Sequence, residues 1–227
     1  MLKAVLFDLD NTLIDRDAAH AAWCRLQVEK HRGEADTDLL VAEMVRRDGG
    51  GYGDRLGYFR WIVATLGLQC DEIALFAAHQ RDIADFIAPN PAVRRLLDDL
   101  RRSVSIGIVT NGRSLTQRAK LRAAQLDEAV DIAFVSEELG CEKPDRRIFA
   151  HAAAALDVLP HEAIFVGDDY ARDIAGSRNA GMLGCWVRHD KRLPHGAEPP
   201  DLSVDSITEL ESATLLGRSW RSAAQAV

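Results

Sequence analysis

Ala4-Val5-Leu6-Phe7-Asp8-Leu9-Asp10-Asn11-Thr12-Leu13 is the stretch that decides the fold. A short apolar run ending in two carboxylates reads as a buried strand that delivers acid side chains to its carboxyl end, where open α/β sheets place their ligands. Side chains at i and i+2 of an extended backbone lie on one side, so Asp8 and Asp10 face a common space. Two like charges there repel unless a cation or a shared proton compensates.

From residue 90 onward, helix and strand signals alternate. The pattern predicts a helix from Pro91 to Arg102, a strand from Val104 to Val109, a helix from Leu115 to Gln125 and a strand from Ile132 to Val135. A helix from Arg147 to Leu156 follows, then the strand Ala163 to Val166, a helix from Ala171 to Ala180 and the strand Leu183 to Val187. Val204 and a helix from Ile207 to Leu216 close the series, and residues 217–227 form a tail expected to fray. Such alternation predicts an α/β, Rossmann-like doubly wound parallel sheet. Residues 1–15 and 90–216 make up this core.

The interval between the first strand and Val104 is too long for a single crossover helix. Amphipathic patterning over Ala18–Lys30, Asp38–Arg47, Leu56–Leu66 and Glu72–Phe86 makes residues 16–89 a helical insertion. It leaves the core just after the two carboxylates and is expected to fold over them as a cap, with Pro89 and Pro91 marking the return. Gly49-Gly50-Gly51-Tyr52-Gly53 lies between two cap helices, not between a strand and a helix, which argues against a nucleotide-cradling loop. It reads as a flexible loop, or as a site from which Tyr52 or Arg55 reaches a substrate.

The chain has 227 residues and a net charge of −7, which argues against a nucleic-acid or acidic-membrane binder. Cys24, Cys70, Cys141 and Cys185 form no CxxC pair and suggest free thiols in a reducing, cytoplasmic compartment. No apolar run approaches the ~18–20 residues that span a bilayer. These features leave monomer and homodimer equally open.

Three more strand ends carry unusual chemistry. Thr110-Asn111-Gly112 offers a hydroxyl and adjacent N–H groups at a strand-to-helix turn, a small anion site, although such a tripeptide is commonly only a turn. Lys143, before Pro144, would ordinarily be a solvated surface residue; if carboxylates and a phosphate converge, a fixed cation is needed there. Gly167-Asp168-Asp169-Tyr170-Ala171-Arg172-Asp173 crowds carboxylates behind an apolar strand, and hard oxygen donors suit Mg²⁺. Asp169 also reads as an N-cap, and Asp173 as a first-turn charge on the helix dipole.

In this order the four segments resemble the haloacid dehalogenase-like hydrolase superfamily. Asp8-Leu9-Asp10-Asn11-Thr12 resembles its DxDxT motif, Thr110 its second motif, Lys143 its third, and Gly167-Asp168 with Asp173 its GDxxxxD fourth. The likeness covers residues 1 to 15 and about 90 to 210, and the insertion looks like the family's C1 cap. Core segments such as Ile106–Gly112 and Cys185-Trp186-Val187 look like the subgroup of pyrimidine nucleotidases, flavin mononucleotide phosphatases and N-acylneuraminate-9-phosphatases.

The resemblance implies a magnesium-dependent phosphatase of small phosphomonoesters. It makes Asp8 the nucleophile that forms an aspartyl-phosphate and Asp10 the acid and then the base. Asp8, Asp168 and the backbone carbonyl of Asp10 become metal ligands; Thr110, Asn111 and Lys143 hold phosphoryl oxygens. Asp173, with Asp169 nearby, orients Lys143 or a metal-bound water. Rival readings are a phosphomutase or phosphotransferase on the same core, a haloacid dehalogenase, which the presence of Asp10 disfavours, and a noncatalytic phospho-ligand module.

Overall fold

The structure, a computed structural model, describes residues 1–32 and 37–217. The chain forms two compact units, one built from Met1–Ile14 and Pro89–Val227, the other from Asp15–Ala88.

The first unit is a six-stranded, wholly parallel sheet: β1 (Ala4–Phe7), β2 (Ser105–Thr110), β3 (Ile132–Val135), β4 (Ala163–Gly167), β5 (Leu183–Val187) and β6 (Leu202–Val204). Its spatial order is β3-β2-β1-β4-β5-β6, which puts β1 inside the sheet with a strand on each side. All four β1 residues are buried, as a strand covered on both faces requires. Phe7 pairs with Ile108 of β2 and Val166 of β4, so the strand ends that carry Asp8, Thr110 and Asp168 lie along one edge of the sheet.

The α-helices of this unit are α5 (Pro91–Leu100), α6 (Ser114–Ala123), α7 (Ser136–Leu139), α8 (Arg146–Ala155), α9 (Gly176–Asn179) and α10 (Ser212–Leu216), numbered after the four of the second unit. Asn90 caps α5 by accepting from Ala92 N at 2.9 Å, with Pro91 pre-set for the first turn. Its apolar stripe, Val93, Leu96, Leu97 and Leu100, is buried. Phe149 of α8 packs edge-on against Phe165 of β4, centroids 5.1 Å apart, within a core that includes Leu6, Val109 and Ile148.

Two expected helices differ in form. Residues 171–180 open with a π-helical turn, Tyr170–Ala175, and continue as α9. The wider turn accommodates Asp173, whose carboxylate points inward and is buried. The stretch from Ile207 to Leu216 breaks into a 3₁₀ turn, Ile207–Glu209, and α10, because Leu210 leaves helical geometry (φ −79°, ψ 116°) with its side chain buried. Of the tail expected to fray, residues 218–227 lie outside the described residues.

The second unit contains α1 (Arg16–Arg32), α2 (Thr37–Asp48), α3 (Arg55–Leu66) and α4 (Glu72–Asp82), with 3₁₀ turns at Gly49–Gly51 and Ile83–Phe86. Trp23, Met44, Phe59, Ile62 and Ile83 are among its fully buried side chains. Asp54 and Asp71 cap α3 and α4 by accepting from Gly57 N and Ala74 N.

This apolar core also encloses polar groups. Asp48 accepts from the guanidinium groups of Arg16 and Arg55, the latter at 2.6 Å. His20 Nδ1 lies 3.0 Å from His79 Nε2, and His20 Nε2 lies 2.8 Å from the Tyr58 hydroxyl. The glycine-rich segment is therefore a defined turn after Asp48. Gly51 (φ 88°) lies so close to Arg16 that a Cβ would approach Nη2 at 3.0 Å.

The four cysteines are free thiols. Among the described residues no helix is long and apolar enough to cross a membrane.

Candidate active site

At the carboxyl edge of the sheet, β1 leads into Asp8, whose backbone N–H still donates to Val166 O of β4 at 2.9 Å. That bond ties the first acid to the strand carrying Asp168. Asp8, Asp168 and Asp173 each present a carboxylate oxygen within 4.8 Å of the others, and all three are buried.

Lys143 closes the group. Its Nζ donates to Asp8 Oδ1 at 2.6 Å and to Asp173 Oδ1 at 2.7 Å, and it stands 5.0 Å from the centre of the Phe165 ring. A lysine only 2% exposed needs such partners, since an unpaired buried ammonium costs several kcal/mol. Its loop is locked by Asn111, which donates through Nδ2 to Lys143 O at 2.9 Å and accepts from Lys143 N at 2.8 Å. The Asn111 side chain thus fastens the loop between α7 and α8 to the turn after β2, a role its place in Thr-Asn-Gly does not announce.

Burial pushes the Asp8 carboxyl well above the usual carboxylate range, and the Asp173 and Asp168 charges add to it against the opposing pull of Lys143. Asp168 is raised for the same first reason, burial, with Asp173 contributing and Lys191 opposing. Burial also works against the Lys143 ammonium, but the Asp173 and Asp8 carboxylates outweigh it and hold its pKa above that of ordinary lysine. Crowded, desolvated oxygen donors of this kind fit a hard divalent cation, which would relieve the repulsion that raises Asp8 and Asp168. The cluster could hold a metal ion.

Asp173 is fixed from two sides, by Lys143 and by the N–H of Asp169, which donates to its Oδ2 at 2.9 Å. Gly167 makes room for it: a Cβ there would lie 2.3 Å from Asp173 Oδ2. Asp169 is the N-cap of the π turn, accepting from Arg172 N at 2.9 Å and pairing with the Arg172 guanidinium at 2.5 Å.

Asp10 belongs to a different set of contacts. Its side chain is outside the three-acid cluster. Lys120 Nζ reaches both of its oxygens, at 2.7 and 2.8 Å, and Gln117 Nε2 donates to Oδ2 at 3.0 Å. The same Gln117 amide donates to the Thr110 hydroxyl at 2.6 Å. Neither Gln117 nor Lys120 stands out in the sequence motifs. In the folded helix Gln117 and Lys120 are buried together with Leu121, while Leu115 is exposed.

Residues of the segment after β5 that carry no motif also reach the site. Lys191 Nζ donates to Asp168 Oδ2 at 2.7 Å and His189 Nε2 lies 2.6 Å from Asn11 O, while within β5 itself Trp186 Nε1 donates to Asp168 O at 3.0 Å. Arg55 is held by Asp48 within the helical unit, where Tyr52 is exposed.

Comparison with known proteins places this arrangement. The family described as haloacid dehalogenase-like hydrolase matches residues 2–181. A glyceraldehyde 3-phosphate phosphatase from Methanopyrus kandleri is 30% identical, covering 92% of this chain and 96% of that protein. An N-acylneuraminate-9-phosphatase from Mus musculus is 35% identical, covering 92% of each. The crystal structure of the HAD-hydrolase YfnB from Bacillus subtilis bound to magnesium shares the fold, with a TM-score of 0.78 at 24% identity over 96% of this chain and 99% of that one. With this span of matched sequence, and with Asp8, Lys143, Asp168 and Asp173 gathered at one edge of a parallel sheet, the chain belongs to the haloacid dehalogenase-like hydrolase family.

Proposed function

We propose that the protein is a magnesium-dependent phosphatase that hydrolyses a small phosphomonoester through an aspartyl-phosphate on Asp8. The observation that carries the reading is the buried Lys143 bridging Asp8 and Asp173 beside Asp168, with a second acid, Asp10, held separately on the same strand end.

An Asp8 carboxylate oxygen attacks phosphorus while the bond from phosphorus to the ester oxygen breaks, and Asp10 in its acid form protonates the departing alcohol. Asp10, now a carboxylate, takes a proton from water as that water attacks phosphorus; the bond to Asp8 breaks and inorganic phosphate leaves. Thr110, the Asn111 N–H and Lys143 hold the phosphoryl oxygens, whose charge spreads in both transition states. Asp173 keeps the Lys143 ammonium in place. Asp8, Asp168 and the backbone carbonyl of Asp10 would hold Mg²⁺, which when bound neutralises charge among the carboxylates and phosphoryl oxygens.

A dehalogenase needs no proton donor for a halide, so Asp10 favours an alcohol leaving group. The helical unit serves as the cap that selects the substrate, with Tyr52 and Arg55 its candidate contacts. The names of the relatives put carbonyl and sugar-acid phosphates first in a substrate screen. Free cysteines fit a cytoplasmic setting.

The test is turnover of an aryl phosphate with Mg²⁺. Asp8→Asn is expected to abolish phosphate release, and EDTA to abolish it reversibly in the parent chain. Turnover by Asp8→Asn would overturn the nucleophile assignment.

A further inference from the structure

Helix α6 buries a cation, Lys120, together with Gln117 and Leu121, while Leu115 is 72% exposed. Lys120 lies in the last turn of this helix, and its pairing with Asp10 compensates the loss of water around its ammonium. The bonds are bidentate. With Nζ on both Oδ1 and Oδ2, and Gln117 Nε2 on Oδ2, the plane of the Asp10 carboxylate is fixed against rotation. Gln117 also donates to Thr110 Oγ1, so one amide nitrogen ties the acid to the hydroxyl at the end of β2. Gln117 and Lys120 are three residues apart on one helix face, and their joint placement is a property of α6 as a rigid element.

We propose that Lys120 and Gln117 are positioning residues for proton transfer: together they hold the Asp10 carboxylate and the Thr110 hydroxyl in one fixed relation. The inference rests on the phosphatase reading and deepens it. Neither residue touches the reacting atoms; they act through Asp10 and Thr110. Their effect therefore depends on how much the leaving group needs a proton. An alkoxide departs poorly without one, whereas 4-nitrophenolate departs readily.

The experiment compares Lys120→Met, Lys120→Arg and Gln117→Leu in the full chain with Mg²⁺, measuring the first turnover of an alkyl phosphate and of 4-nitrophenyl phosphate by rapid quench. For Lys120→Met, alcohol release from the alkyl ester is expected to fall by about 10²-fold, the lower range for general acid catalysis. Release of 4-nitrophenolate in the same variant is expected to stay within a few-fold, with KM for both esters little changed. Lys120→Arg, which keeps a cation beside Asp10, is expected to recover most of the alkyl rate. Gln117→Leu, which leaves the Lys120–Asp10 pair in place, gives a smaller loss of the same leaving-group dependence and serves if Lys120→Met does not fold. Equal losses on both esters in the folded variants, or no loss on either, would overturn the proposal. Asp8→Asn run alongside separates the two readings: turnover there refutes the phosphatase mechanism itself, whatever Lys120 does.

Discussion

Acidification from pH 7 to pH 5 should loosen the helical unit through His20 and His79. Burial lowers the pKa of His20 to about 4, against a rise from Asp48; burial and then His20 lower that of His79 to about 2. Arg16 and Arg55 face the same pocket and further oppose protonation, and His79 Nδ1 has no hydrogen-bond partner among the described residues. A histidine whose folded pKa lies below the unfolded value of about 6.5 binds its proton more readily in the unfolded chain, so its stability contribution is present above pH 6.5 and lost below. At pH 5 the unfolded value is about 1.5 units away, and at about 1.4 kcal/mol per unit each group costs about 2 kcal/mol, about 4 kcal/mol for the pair. The figure depends on the gap between pH 5 and the unfolded pKa, because both folded values lie below pH 5. Asp48 does not offset it: although burial acts to raise its pKa, the Arg16 bond, His20 and Arg55 hold the carboxyl well below the usual range, so it stays ionised at both pH values. Hydrogen exchange reads the effect unit by unit, with protection factors corrected for intrinsic pH dependence. Peptides from α1 and α3 should lose about three orders of magnitude of protection at pH 5, while β2, in a unit with no buried histidine among its described residues, provides the reference. His79→Leu should remove about half of the loss. Unchanged protection of α1 between pH 7 and pH 5 would refute the reasoning.

Lys191 is half exposed and sits on Asp168 Oδ2, where it competes with a divalent cation for the same oxygen. Lys191→Met is expected to tighten Mg²⁺ binding about two- to fivefold by calorimetric titration, since a half-exposed ion pair is worth about 0.5–1 kcal/mol; weaker binding would show that Lys191 supports the site. Gly167→Ala drives a Cβ into Asp173 and must displace it from Lys143. A shift of that kind should lower kcat by about 10²-fold and cost about 1–3 kcal/mol in denaturant unfolding, and near-parental turnover would count against the Asp173–Lys143 anchor.

Much of the core was legible because its signals are local. The apolar run before Asp8 reads as a buried strand whatever surrounds it, and the helix–strand alternation after residue 90 specifies parallel connections. The strand Leu183 to Val187 falls where its sequence suggests. Less legible were contacts created by tertiary placement. Lys120 in α6 and Lys191 after β5 look like solvated charges in sequence, and only folding brings them to Asp10 and Asp168. The π turn at Tyr170–Ala175 escaped for a related reason. Helical periodicity cannot distinguish a regular turn from a widened one, and what demands the widening is the inward carboxylate of Asp173, set against Gly167 and Lys143.

The pair Asp8 and Asp10 shows how such placement resolves a conflict written into the sequence. Two acids on one face of a strand end should repel, and a single shared cation would leave them competing for it. Each instead has its own lysine, Lys143 from the loop between α7 and α8 for Asp8 and Lys120 from α6 for Asp10. The two environments then diverge. Asp8 is buried among further carboxylates, which raises its affinity for a proton or a metal, whereas both oxygens of Asp10 accept from donors of α6. Chemical inequality between two identical side chains follows from which loop or helix supplies the cation. In the proposed mechanism it is that inequality, more than the DxD spacing itself, that separates the nucleophile from the proton carrier.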